Sequence, residues 1–305
     1  MNERTRKLLK LISDGYENFT GAYSIRQDGS CAEMRSTEQV SITTKADRSG
    51  IDIHVKPGVQ GEIVNIPACV TSSDITDLVY NDFYIGEGAD VVIIAGCGVH
   101  SDGEGDAQHD GIHHFYVGKN ARVVYREKHI GTGDGSGKRT INPQTFAEIS
   151  EGGMMEIDST QIKGVDSTNR VTKAWLAAGA KLRIKEKIMT HGKQTAETDF
   201  IVELDGEDAA VDLVSRSVAK GSSRQLFRSQ IVGNTRCTGH SECDAIIMDQ
   251  GVVSAVPELT ANHLDAGLIH EAAIGKIAGE QLIKLMTLGL TEAEAEAKII
   301  EGFLK

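Results

Sequence analysis

Gly152-Gly153-Met154-Met155-Glu156-Ile157, Gly179-Ala180-Lys181-Leu182-Arg183-Ile184 and Gly206-Glu207-Asp208-Ala209-Ala210-Val211 decide how this chain is read. Their first glycines and Gly233 stand at a constant interval of 27 residues, and each opens a segment of alternating apolar residues. A second apolar run follows within the unit, as in Phe200-Ile201-Val202-Glu203-Leu204 and Leu226-Phe227-Arg228-Ser229-Gln230-Ile231-Val232, which gives Phe200 and Phe227 one position of the repeat. Gly88 and Gly118 open similar strands at looser spacing. A repeat of this length signals a solenoid, propeller or array. Two strands of period 2 per unit, set off by glycine turns and without a helical stripe, select a parallel β-helix with coils about 4.8 Å apart. The competing arrangement is an antiparallel sandwich with evenly spaced turns.

Composition sets the bounds. With 305 residues, 40% of them hydrophobic, the chain can bury a sizeable core without disulfide staples. A net charge of −12 and the lack of a long Lys/Arg run argue against nucleic acid or an anionic membrane as the main partner. No stretch approaches 18 apolar residues, and the charged first segment does not read as a signal peptide, so a cytoplasmic protein is expected. Cys31, Cys69, Cys97, Cys237 and Cys243 have no framework spacing, as suits reduced thiols.

Helices are expected at both ends. Residues 4–18 carry Leu8, Leu9 and Ile12 at helical spacing, with Gly15 as a stop. Near the C-terminus Ile274, Ile277, Ala278, Leu282, Leu285 and Met286 form an apolar face, Gly289 suits the C′ position, and Thr291-Glu292-Ala293-Glu294 has the form of a capping box. The division that follows is an N-terminal helical segment over 1–35, a β-helix over 36–265 and a helical hairpin over 266–305, the last closing the exposed end of the solenoid and offering a docking surface.

The residue types that suit a metal better than packing lie late in the chain: Cys237, His240, Cys243, His270 and Glu271. Alternation along a straight strand sets His240 opposite both cysteines, so those three could meet only across a turn or a subunit boundary. His270-Glu271 is expected where the last strand meets the helix, with helix capping as the plain role of Glu271. A second group, Cys97, His100, His109, His113 and His114 with His129, imitates zinc-ligand spacing but flanks a Gly-rich acidic stretch, which reads as a solvated insertion. Gly131-Thr132-Gly133-Asp134-Gly135-Ser136-Gly137-Lys138-Arg139 fails as a phosphate loop, which needs glycine at Thr132 and Ser or Thr at Arg139.

With these residues in view, the C-terminal third resembles the core region shared by SufB and SufD, the scaffold subunits of the Suf iron-sulfur cluster assembly system. The likeness runs from Ser222-Ser223-Arg224 through Cys243-Asp244, the Pro257 strand, His270-Glu271-Ala272, Lys276-Ile277 and Gln281-Leu282 to Gly289-Leu290 and Gly302-Phe303. The first 90 residues share it much less. The resemblance implies a right-handed parallel β-helix and a non-enzymatic scaffold that holds an iron-sulfur cluster transiently. It assigns Cys243 and Glu271 to the cysteine and glutamate of SufB type and His270 to the histidine that SufD contributes across the dimer. It leaves Cys237 and His240 without a counterpart and makes Cys97 a candidate for the internal sulfur-receiving cysteine. The partners it implies are a SufC-like ABC ATPase on the C-terminal helices, a second copy or a SufB/SufD paralogue, a cysteine-desulfurase sulfur donor and apo-protein acceptors. Rival readings are a β-helix polysaccharide lyase or hydrolase, poorly served by 5% aromatics and the single Trp175, and a metal-dependent hydrolase using His100 to His114.

Overall fold

The computed structural model describes residues 1, 3–13 and 16–305; the proposed helix stop at Gly15 lies outside them. From Gly50 onward every strand pairs in parallel with the strand one coil later, and successive strands alternate between two facing sheets. The chain is thus a parallel β-solenoid of about eight turns, and the sandwich alternative falls. Antiparallel pairing is confined to the start, where Ala22–Gln27 meets Ser30–Arg35 and Val40–Thr44 meets Gly50–Val55.

The coil length differs from the constant interval read in the glycines. Register pairs Met154 with Lys181, Lys181 with Ala210, Ala210 with Thr238 and Thr238 with Gly267, so coils of 27, 29, 28 and 29 residues follow one another. What recurs is a left-handed backbone at the corners: Gly152 and Gly179 (φ +66° and +65°) share one corner with Asn120 and Asp208 (φ +54° and +61°). Asn and Asp tolerate that region best after glycine, so the repeat is written in three residue types and glycine spacing captures part of it. Gly206 lacks a positive φ and is glycine because a Cβ there would lie 1.9 Å from the Ala178 nitrogen. Gly233 closes the strand Arg224–Gly233 and opens none. Phe200 pairs with Ser229 and Phe227 with Thr198, so the two rings are offset by one inward position and meet at 5.9 Å between centroids.

Inward-facing positions split the interior in two. One part is an apolar core in which Phe83 stacks on Phe115 at 4.2 Å and Tyr125 leans on Phe115 at 4.8 Å. Each such ring contributes about 1.5–3 kcal/mol by its burial. The other part is polar and is taken up with the site below.

The helix α1 (Glu3–Ile12) lays Leu8, Leu9 and Ile12 on the outside of one sheet, over Gly96 and Gly98, where a side chain at Gly96 would meet the Ile12 carbonyl at 2.5 Å. Helix therefore covers only the first part of 1–35, and the remainder holds a 3-10 turn, Tyr16–Asn18, and the hairpin. At the other end α2 (Gly279–Met286) and α3 (Glu292–Phe303) form the expected hairpin, with Gly289 at φ +96° and the Thr291/Glu294 capping box in place. Ile274, expected on the helical face, belongs to the strand Ala266–Gly275. The hairpin does not close the solenoid. Ile300, Phe303 and Leu304 pack beside it on Val218 and Met248. The last coil, Val252–Ala261 and Ala266–Gly275, keeps one edge without a partner strand among the described residues. No described helix is long and apolar enough to cross a membrane.

Candidate functional site

Cys243 sits in the middle of the strand Cys237–Ile247, 1% exposed, with its side chain inside the solenoid. The same inward column runs Glu127, Ser159, Glu186, Ser215, Cys243 and Ala272, one residue per coil. Burial first, then the negative charges of Glu186 and Asp244, push the Cys243 thiol up to about 12, so the isolated chain holds it protonated.

His270 and Glu271 lie in the middle of the last strand and cap no helix, contrary to expectation. His270 pairs with Ser241 and so shares the inward phase of Cys243; its Nδ1 is buried without a hydrogen-bond partner. Glu271 pairs with Glu242 on the outer face and is exposed. Period-2 alternation thus separates Glu271 from the other two donors. Among the described residues no three His, Cys, Asp or Glu side chains converge on a metal position.

The other two sequence candidates part as alternation requires. Cys237 is buried, its thiol raised by burial, and lies six residues from Cys243, about 20 Å along a strand. His240 faces outward, its Nδ1 3.0 Å from the Asp212 carboxylate.

The group around Cys97 is not a solvated insertion. Only residues 101–106 form a loop; His109, His113 and His114 lie on the strand Ala107–Val117, with His109 and His113 turned into the interior and His114 outward beside Glu148 at 3.1 Å. His109 Nδ1 meets Asp77 at 3.1 Å, and Asp77 is clamped by Arg26 through Nε and Nη2. Burial alone would raise the Cys97 thiol, but the His109 and His129 imidazoles overcome it and bring Cys97 to about 6. His109 is lifted to about 10: burial opposes its charge, and Cys97 and Asp77 restore it. The result is a buried thiolate and imidazolium braced by a carboxylate.

This pair lies at the floor of a cavity of about 290 Å³ whose wall includes Arg26, Cys31, Lys45, Arg48 and Asn81. Beyond it the polar strip continues. Tyr125 donates to Glu127 at 2.6 Å and so accepts from His113 Nδ1–H at 2.6 Å; Arg170 donates to Glu127 at 2.6 Å and lies 3.5 Å from Glu186. Glu186 accepts from Thr198 at 2.9 Å and from Ser215 at 2.6 Å, directly below Cys243 in the column. The sequence reading missed Asp77, Glu127, Arg170 and Glu186. The signal was there: in Leu182-x-Ile184-x-Glu186-x-Ile188 a carboxylate occupies an inward phase.

The molecule is thus a parallel β-solenoid with a charged interior strip, a buried cysteine one coil before its open end and a histidine on the last coil. Comparison with known proteins gives the family. The SUF system FeS cluster assembly SufBD core domain matches residues 78–303. An iron-sulfur cluster assembly SufBD family protein of Archaeoglobus fulgidus is 30% identical over 275 residues, which is 88% of this chain and 72% of that protein. Relatives of the same description from Methanothermobacter thermautotrophicus and Methanocaldococcus jannaschii are 29% and 27% identical, over 88% and 77% of this chain and 66% and 74% of their own lengths. The chain belongs to the SufBD family of iron-sulfur cluster assembly proteins.

Proposed function

We propose that this chain is a non-enzymatic scaffold on which an iron-sulfur cluster is assembled, held transiently and passed to apo-proteins. The site forms where two open solenoid ends meet, in a homodimer or with a SufB- or SufD-like paralogue. One observation carries the reading: the unpaired terminal strand places His270, with its buried unpartnered Nδ1, one coil beyond the layer of Cys243, and Glu271 beside it on the outer face. A free edge of ten-residue strands with Ile269 57% and Val256 51% exposed is a ready surface for a second edge. Pairing there would bring two sets of donors to one seam. Cys243 would supply thiolate as the incoming cation displaces its proton to solvent, and His270 and Glu271 would supply harder donors that allow later release.

The Cys97 thiolate is the one suited to receive sulfur from a cysteine-desulfurase donor. It lies five coils, about 24 Å, from Cys243 along the polar strip. The exposed apolar Ile283 and Leu288 on and after α2 support docking of an ABC-type ATPase on the C-terminal hairpin in the cytoplasm. The His100 to His114 hydrolase reading loses its basis, since those imidazoles face different sides of two strands.

Anaerobic reconstitution with iron and sulfide tests the site. Cys243→Ser and Glu271→Ala should both lower cluster content and transfer to an apo-ferredoxin, and Ile269→Asp should shift the scaffold toward monomer by light scattering. Unchanged cluster content and transfer in both Cys243→Ser and Glu271→Ala would remove the assignment.

A further inference from the structure

The glycine-rich run 131–139 fails as a phosphate loop by residue type, yet the structure folds it into the wall of a groove. The groove, of about 740 Å³, lies where one sheet passes to the other and is lined by Gly131, Gly133, Lys138, Lys163, Gly164 and Lys193, with Arg139 and His191 nearby. That volume fits a nucleotide-sized molecule.

Charge makes the groove unusual in a chain of net −12. Arg139 is neutralised by Asp166 at 2.8 Å. Among the described residues Lys138, Lys163 and Lys193 form no ion pair, and Asp134 is the one other carboxylate in the wall. The three lysines come from three successive coils near the passage between the sheets, Lys163 at the end of the strand Met154–Lys163 and Lys138 and Lys193 in the turns. At the next corner Lys220 is answered by Glu296 of α3 at 3.8 Å. Three ammonium groups around one groove without a carboxylate partner are balanced by a multivalent anion held between them more than by separate counterions. In the groove wall Gly131 and Gly164 pack backbone to backbone, since a Cβ on either would lie 1.9 or 2.0 Å from the other's carbonyl oxygen.

We propose that this groove binds a small polyphosphorylated anion between Lys138, Lys163 and Lys193. The site is separate from the cluster site and does not depend on that reading. Its ligand is the di- or triphosphate of a nucleotide or an inorganic polyphosphate, which share the recognised chemistry.

The test is calorimetric titration of the full-length protein with inorganic tripolyphosphate and with magnesium-free ATP, at low and moderate salt. One saturable site is expected, weakened at least tenfold in Lys163→Ala/Lys193→Ala, retained within threefold in Lys163→Arg/Lys193→Arg, and weakened by added salt. Lys181→Ala/Lys187→Ala, which removes the same charge from the outer face of a neighbouring strand, should leave affinity within twofold. Circular dichroism of each variant confirms the fold. Tighter ATP than tripolyphosphate identifies the nucleotide as the ligand, and equal affinity identifies the phosphate chain alone; both support the site. Absence of saturable binding, or equal losses in the two alanine pairs, overturns it. So does a single-stranded oligonucleotide that binds more tightly than ATP through the same lysines.

Discussion

Cys97 and Cys243 lie on the inner face of the same sheet, 5% and 1% exposed, yet their thiols are tuned in opposite directions. Cys97 has imidazoles as neighbours and is held as a thiolate; Cys243 has a serine below it and carboxylates around it, and is held as a thiol. Burial pushes both thiols up and is the first cause of the high Cys243 value. What separates the two is that imidazoles overcome burial at Cys97 while carboxylates add to it at Cys243. On the proposed function the contrast would divide the labour: an anionic sulfur nucleophile deep in the solenoid, beside a cavity, and a neutral thiol one coil from the open end.

The strongest way to break the comparison is to remove the charge system between the two. Arg170→Ala strands Glu127 and Glu186 as buried carboxylates, and should destabilise the fold by about 3–5 kcal/mol. Urea denaturation monitored through Trp175 measures it, and a loss under about 1 kcal/mol would show that water already screens the strip.

A smaller effect sharpens the contrast directly. Alkylation of Cys97 by a small neutral reagent, followed by mass spectrometry, should rise with a midpoint near pH 6, whereas Cys243 should stay slow through pH 9. Asp77→Asn should move the Cys97 midpoint upward by weakening the His109 imidazolium. The linkage has a definite sign. Cys97 titrates below the ordinary thiol value in the folded chain, so its contribution to stability is present above that ordinary value and is lost as pH falls through about 6. Superimposable profiles for the two cysteines would erase the distinction drawn between them.

The smallest expected change lies outside both regions. Thr291→Ala removes the hydroxyl that accepts from the Glu294 N–H at the start of α3, leaving the bond from the residue 291 backbone N–H to Glu294, and should cost about 1 kcal/mol of thermal stability while leaving both alkylation profiles unchanged.

Much of the solenoid could be read from residue order. Alternation in the strands after Gly152 and Gly179 predicts which side chains point inward, and it correctly separates His240 from Cys237 and Cys243. Reading glycine spacing as the repeat went astray where Asn120 and Asp208 take the left-handed corner, because the corner requires a backbone conformation and more than one residue type can adopt it. Polar residues around Cys97 look solvated in sequence and suggest an insertion, which the structure replaces with buried strands. A solenoid can bury such residues when each finds a partner on another coil, as Arg170 finds Glu127 from 43 residues away.

The sequence by itself determined the parallel β-solenoid, the capped helical hairpin and the family, since each rests on local periodicity, a cap or an ordered series of short motifs. The tertiary structure alone decided that the hairpin lies beside the solenoid and leaves its last coil open. It also decided that Glu271 stands on the opposite face from Cys243 and His270, and that the two inward cysteines differ in charge. These depend on the register of coils 27 to 29 residues apart and on which charges that register brings together across the interior.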